Sequence, residues 1–384
     1  MHIAWLGKKS PFCGNVTYSR EITNALLERG YRVTFLHFAQ TSDSQQLNHH
    51  PDCSEVSLPF LFKSQILTIP SFKSGKLLAE ALKQLKPDLV HASLTLSPLD
   101  FRLPEICAEL SLPLVATFHP PFDRKVRSLT SGTQHLTYQL YAPCLANYTR
   151  VIVFSDLQRD LLIRLGVAAE TVVVIPNGVD TRRYSPGPSS AKVDLQAQRL
   201  FVYQGRLSPE KNIEALLRGW RQAEMGPGCK LALVGSGPLE ASLKLFYGEQ
   251  DDILWLGYLA DEHRRIEILR GADGFILPSL VEGLSLSLLE AMACEAACIA
   301  TDAGADGEVL ASGAGIVLDT QRVAAQLQTI LPILRDHPEI THMLGRKARE
   351  RVLYRYTLEG NVSCLENLYA SLTQEKQLAY SSGV

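Results

Sequence analysis

Short apolar, β-branched runs alternate with amphipathic stretches along most of this 384-residue chain, and that alternation leaves little choice of fold. In the first half the runs fall at 3–6, 32–37, 89–91, 114–117, 150–153 and 171–175; in the second half they fall at 200–204, 230–234, 253–256, 274–277 and 297–301. Each is too short for a helix and is followed by a segment of helical length, which is the pattern of a doubly wound parallel sheet. A turn-rich stretch containing Pro176, Asn177, Gly178, Pro186, Gly187 and Pro188 separates the two sets. The expected architecture is therefore α/β: two Rossmann-like doubly wound parallel-sheet domains, 1–180 and 191–357, facing a central cleft. The end of the chain, 344–372, reads as two helices followed by a polar tail from Gln374. Ligands of such sheets bind beyond the carboxyl ends of the strands, which is where Gly14, His119, Gly205, Arg206, Gly235 and Glu282 lie.

The densest chemistry is in residues 278–293, where Glu282 and Glu290 flank Gly283, Leu284 and Ser285. The apolar run before Pro278 ends a strand, and a helix is expected from Leu284. Glu282 then sits in the loop and Glu290 about two turns into the helix. The amides of Gly283, Leu284 and Ser285 would have no intrahelical partner, and the helix dipole would help them hold an anion. An isolated pair of acids at this spacing is usually a solvated surface feature. The surrounding Pro-Ser-x-x-Glu-Gly and Leu-Glu-Ala-Met-Ala phrases change that reading.

Those phrases resemble the donor-site signature of retaining family-4 glycosyltransferases of the GT-B class. Gly205-Arg206 with Lys211 five residues on resembles the same family's diphosphate-holding motif. The resemblance implies that Arg206 and Lys211 stabilise the charge growing on a nucleotide diphosphate leaving group. It further implies that Glu290 binds the ribose hydroxyls, that Glu282 binds the transferred sugar, and that His119, ending a strand in Ala-Thr-Phe-His, lies beside that sugar. Gly14 matches the family's phosphate-approach glycine, although Asn15 and Val16 follow where a double glycine is common. Gly235 and Gly237 would admit the nucleotide, and Leu259 would contact the base. In the family the last helix, about 358–373, crosses back to the N-terminal domain. Retention there is attributed to same-face substitution, which needs no second catalytic carboxylate. Departures occur at Glu295, Ala297 and Cys298, and at Gly304-Ala305-Asp306-Gly307-Glu308.

No two aspartates are separated by one residue, so the D-x-D metal motif is absent, and no metal or other cofactor is expected beyond the nucleotide-sugar donor. The N-terminal phrases Ala4 to Thr17 and Ser93 to Asp100 resemble the cyanobacterial-type digalactosyldiacylglycerol synthases. That narrower resemblance implies UDP-galactose as donor and monogalactosyldiacylglycerol as acceptor. An acceptor on an anionic bilayer calls for apolar residues beside cations. Phe60, Phe62, Lys63, Ile66 and Lys73 form one such group, and Arg124, Lys125 and Arg127 form another; core packing is the competing reading for both.

A net charge of −2 excludes a broad attraction to polyanions, and nucleic acid is not an expected partner. The first residues lack the apolar core of a signal peptide, no stretch reads as a spanning helix, and the eight cysteines show no zinc spacing. A cytoplasmic protein, peripheral on a membrane face, is the expectation. A dehydrogenase reading fails because the first loop lacks G-x-G-x-x-G and no acid follows the second strand. A glycosyltransferase acting on a soluble sugar and a non-catalytic nucleotide-sugar sensor remain as alternatives.

Overall fold

Every residue of the first strand, β1 (His2–Gly7), is buried, as expected of a strand covered on both faces of a parallel sheet. The computed structural model describes residues 1–10, 14–39, 50–64, 67–122 and 129–381. In chain order the further strands are β2 (Arg32–Phe38), β3 (Ser54–Leu58), β4 (Phe60–Lys63), β5 (Thr68–Pro70), β6 (Leu89–Ser93), β7 (Leu114–Thr117), β8 (Arg150–Val153), β9 (Val172–Val174), β10 (Arg199–Gln204), β11 (Cys229–Val234), β12 (Ile253–Gly257), β13 (Gly274–Leu277), β14 (Ala297–Thr301) and β15 (Ile316–Leu318). They build a seven-stranded sheet in the order β3-β2-β1-β6-β7-β8-β9 and a six-stranded sheet in the order β12-β11-β10-β13-β14-β15. Both sheets are parallel throughout.

Each sheet contains one point where the strand order reverses: between β1 and β6 in the first, between β10 and β13 in the second. Loops leaving the adjacent strands there diverge to opposite faces and leave a crevice at the carboxyl ends. The chain divides into two compact units, one of residues 1–120, 133–177 and 358–384, the other of 121–132 and 178–357.

The helix Leu358–Ser381 belongs to the first unit. Its Val362, Leu365, Tyr369 and Leu372 are buried at the three- and four-residue spacing of one helical face, and Arg29 donates to Ser363 Oγ at 3.0 Å while pairing with Glu366. The helix continues to Ser381, through most of the stretch read from sequence as a polar tail. In the second unit the helix Ile213–Gln222 buries Ile213, Leu216, Leu217 and Trp220, and Gly219 lets the backbone of Ala324, in the helix Val323–Asp336, come close.

Candidate donor and acceptor sites

In the second unit β10 ends at Gln204, and the loop after it is braced by its neighbour. The amide of Gly205 donates to Val234 O at 2.9 Å and that of Leu207 to Ser236 O at 3.0 Å. Gly235 has φ +137°, and a Cβ there would overlap the Gly205 carbonyl; one at Gly237 would overlap that of Leu207. The space a side chain would need at either glycine is thus filled by the backbone of Gly205 and Leu207. Their smallness positions the arginine loop. Arg206 is exposed on this loop, and its carbonyl accepts the Tyr203 hydroxyl at 2.7 Å.

Lys211 closes the 3-10 turn Pro209–Lys211, ahead of Asn212 in the left-handed region, a conformation asparagine tolerates. Its ammonium pairs with Glu282. Glu282 also accepts the Ser279 hydroxyl at 2.7 Å, and the Leu280 amide donates to Glu210 O at 2.8 Å, so the two loops are stitched together. Burial pulls the Lys211 amine down, but Glu282, with Asp306 and Glu210 behind it, holds the amine above its ordinary value. The sequence-predicted cation and sugar-binding acid are therefore partners.

The helix after Glu282 is Leu286–Ala293, with Ser285 as its N-cap accepting the Leu288 amide at 3.3 Å. It starts two residues later than expected because the cap side chain terminates the loop. The Ser285 amide donates to Asp306 Oδ1 at 3.1 Å, so it is not one of the open anion donors expected at this helix start. Gly304 has φ +57°, and any side chain there would overlap the carbonyls of Glu282 and Gly283, while the Ala305 amide donates to Gly283 O at 2.8 Å. The segment 304–306, which reads as a departure from the family pattern, thus clasps the backbone of Glu282, Gly283 and Ser285.

Glu290 accepts Gln204 Nε2 at 2.7 Å. Burial, partly countered by Arg265, pushes its carboxyl up to about 7. Arg265 in turn donates to Leu259 O at 2.7 Å; one guanidinium thereby links the predicted base-contact loop to the predicted ribose acid. Sequence reading missed the contacts of Gln204, Ser279, Arg265 and Asp306, because only the fold creates them.

In the first unit, Gly14 begins the helix Gly14–Glu28, with nothing within 4 Å of where a Cβ would stand. Asn15 beside it is the anchor of a directional relay. Its Nδ2 donates to Leu94 O at 2.9 Å, its Oδ1 accepts the Ser93 hydroxyl at 2.8 Å, and Ser93 Oγ lies 2.8 Å from His119 Nε2. Ser93 has one proton and gives it to Asn15, so His119 Nε2 carries a hydrogen and Nδ1 is left as an acceptor. Burial, reinforced by Lys8, holds the imidazole down to about 3, which makes it neutral at physiological pH.

The strands β4 and β5 form an antiparallel pair whose register slips between Phe60 and Phe62. Strict alternation would turn one of two successive residues inward; here Leu61 and Phe62 are both exposed, at 62% and 52%. Leu67 and Ile69 are also exposed, Phe72 is 98% exposed, and Lys73 is exposed beside it. Two sequence expectations change. Phe60 is only partly exposed, and Lys63 is turned inward, donating to Ser10 Oγ at 2.8 Å and Phe38 O at 3.0 Å over the Phe60 ring. Ile66, Arg124, Lys125 and Arg127 lie outside the described residues. No helix among the described residues is long and apolar enough to cross a membrane.

Two parallel Rossmann-like sheets, with an arginine–lysine loop and a glutamate loop at the switch point of the second, define the GT-B class of nucleotide-sugar enzymes. The family profile "Glycosyltransferase Family 4" matches residues 13–183 and "Glycosyl transferases group 1" matches residues 190–351. The chain belongs to the family-4 glycosyltransferases. It is similar to the alpha-maltose-1-phosphate synthase of Mycolicibacterium smegmatis, 27% identical over 54% of this chain and 59% of that one. It is also similar to the UDP-Gal:alpha-D-GlcNAc-diphosphoundecaprenol alpha-1,3-galactosyltransferase of Escherichia coli, at 25% identity over 81% of this chain and 82% of that one. The alpha-monoglucosyldiacylglycerol synthase of Streptococcus pneumoniae is 26% identical over 73% of this chain and 66% of its own length. Among solved structures, Anabaena HepE in complex with UDP superposes with a TM-score of 0.76 at 19% identity, covering 97% of this chain and 100% of that one.

Proposed function

We propose that this glycosyltransferase moves galactose from UDP-galactose, with retention, to monogalactosyldiacylglycerol, and works as a peripheral protein on the cytoplasmic face of a membrane. The observation that carries the donor half is the Lys211–Glu282 pair beside the Arg206 loop at the sheet's switch point. A diphosphate drawn to Arg206 and Lys211 places the departing charge against two cations, which stabilise it more in the transition state than in the ground state. Glu282, relieved of part of its partnership with Lys211, holds a hydroxyl of the sugar, and Glu290 holds the ribose. His119 is neutral with Nδ1 open as an acceptor, so it takes a hydrogen bond from a sugar hydroxyl and does not act as a cation. UDP in the fold-related HepE complex and the UDP-Gal named for the E. coli relative support the donor.

The acceptor half rests on the exposed apolar residues of the β4–β5 pair. Leu61, Phe62, Leu67, Ile69 and Phe72 form a face suited to the headgroup boundary of a bilayer, and the S. pneumoniae relative is itself named for a diacylglycerol glycolipid. The test is a matrix of donors (UDP-galactose, UDP-glucose, GDP-mannose) against monogalactosyldiacylglycerol in vesicles, monoglucosyldiacylglycerol in vesicles and soluble mono- and disaccharides, with products identified by mass spectrometry. The predicted product is digalactosyldiacylglycerol. A soluble glycoside as the dominant product would replace the acceptor assignment, and tight nucleotide-sugar binding without any product would favour a sensor.

A further inference from the structure

The clasp segment holds a side chain that the family signature does not use. Asp306 is completely buried. One carboxyl oxygen accepts the Ser285 amide at 3.1 Å, while Oδ2 is buried without a hydrogen-bond partner. A buried polar atom left without a partner is costly, and in native proteins it points to a function or to a partner that arrives later. Its charged surroundings are Glu282 from the loop after β13 and Lys211 from the 3-10 turn, with Glu210 acting on Lys211. On its own segment Asp302 packs against Gly307, and Glu308 is paired with Arg355 at 3.1 Å. Glu282 and Asp306 thus draw on one ammonium, on which Glu210 also acts.

We propose that Asp306 is a positioning residue of the donor site that fixes the glutamate loop through the Ser285 amide and holds a proton which nucleotide diphosphate binding reinforces. This rests on the reading of the second unit as the donor site. A carboxylate with one bare oxygen, buried beside Glu282, is disfavoured relative to the neutral acid. Burial and then Glu282 accordingly lift the Asp306 carboxyl well above its usual range, against the opposing pull of the Ser285 amide and Lys211. When a diphosphate engages Lys211, part of the cation's field is spent on the phosphate and new negative charge arrives nearby. Both changes favour the protonated acid, so nucleotide binding takes up a proton wherever Asp306 is partly ionised in the free protein. Through Ser285, the same residue sets the height of the loop carrying Glu282.

The test is calorimetric titration of the full chain with UDP between pH 6 and 9, in two buffers of different ionisation enthalpy, for wild type and Asp306→Asn. Asparagine keeps an acceptor for the Ser285 amide but cannot titrate. The difference between the two proteins cancels the titration of UDP itself and of Glu290. Wild type is expected to take up more protons than D306N, and its affinity, relative to the variant, to fall by up to about tenfold per pH unit above the Asp306 titration. Thermal unfolding gives a nucleotide-free readout. A carboxyl raised in the folded state favours the fold below its unfolded value and loses that contribution as pH rises through the folded one, so D306N should gain on wild type as pH rises. Equal proton uptake by two UDP-binding proteins, or a pH-independent difference in melting temperature, overturns the inference. Failure of wild type to bind either UDP or GDP overturns the donor-site reading itself. If D306N does not fold, Asp306→Ser, which also offers Ser285 an acceptor, takes its place.

Discussion

Replacing Lys211 with methionine separates the two tasks assigned to its ammonium. The Lys211 and Glu282 side chains are 21% and 10% exposed, which puts their pair in the buried regime where removing one partner strands the other. Glu282 would retain the Ser279 hydroxyl but would face Asp306 without a cation. The expected loss of stability is about 3 kcal/mol, a drop of roughly 6–12 °C in the unfolding transition for a unit of this size. Adding Glu282→Gln to the methionine variant removes the stranded charge and should restore roughly half of that loss. Arg206→Ala behaves differently, because Arg206 is exposed and its loop is held by backbone bonds and by Tyr203. Its stability should stay within about 0.5 kcal/mol of wild type, while turnover falls roughly 100- to 1,000-fold from the loss of one transition-state cation. Scanning calorimetry of the four proteins and initial transfer rates make the comparison. K211M melting with wild type and transferring at a comparable rate would refute the reasoning, as would R206A retaining full turnover.

Further outcomes follow from the geometry. Since ribose hydroxyls donate to an ionised carboxyl, nucleotide affinity should climb with pH through about 7 as Glu290 loses its proton, and Glu290→Gln should flatten that rise; an unchanged pH profile in calorimetry argues against the ribose role. Serine-to-alanine at 93 should shift the His119 ring nitrogens in ¹⁵N NMR toward the other tautomer and lower turnover at unchanged nucleotide affinity, and no shift would contradict the Asn15–Ser93–His119 relay. Gly14→Ala should leave the melting temperature unchanged because its Cβ meets nothing within 4 Å, so any loss of UDP affinity reports on phosphate approach. Gly235→Ala, by contrast, forces overlap with Gly205 and should cost more than about 3 kcal/mol in unfolding. Leu61, Phe62 and Phe72 changed together to serine should release the protein from anionic vesicles in flotation without altering UDP binding, and continued flotation would move the docking surface elsewhere.

The strands were legible where burial on both faces makes a continuous apolar run. The runs at 32–37 and 274–277 fall on β2 and β13 almost residue for residue. The edge strand β3 (Ser54–Leu58) escaped because its side chains are mostly exposed and polar, and the edge strand β15 (Ile316–Leu318) is only three residues long with Val317 exposed. Lys211 and Glu282 were singled out from their motifs, and the structure brings the two side chains together as a pair. Asp306 was not: its meaning depends on the left-handed Gly304 laying it under Ser285, which no spacing along the chain reveals. That Gly235 also makes room for the Gly205 backbone was not legible, because a glycine's smallness does not say what packs against it. The β4–β5 pair was legible as apolar, but the register slip that turns Leu61 and Phe62 outward together, with Lys63 inward, belongs to the pairing.

The most direct measurement is the initial rate of galactose transfer from radiolabelled UDP-galactose to monogalactosyldiacylglycerol in anionic vesicles, for wild type beside Arg206→Ala. Wild type should form α-linked digalactosyldiacylglycerol, with R206A folded and at least about 100-fold slower. Transfer by both proteins at the same rate, or a β-linked product, would contradict the account.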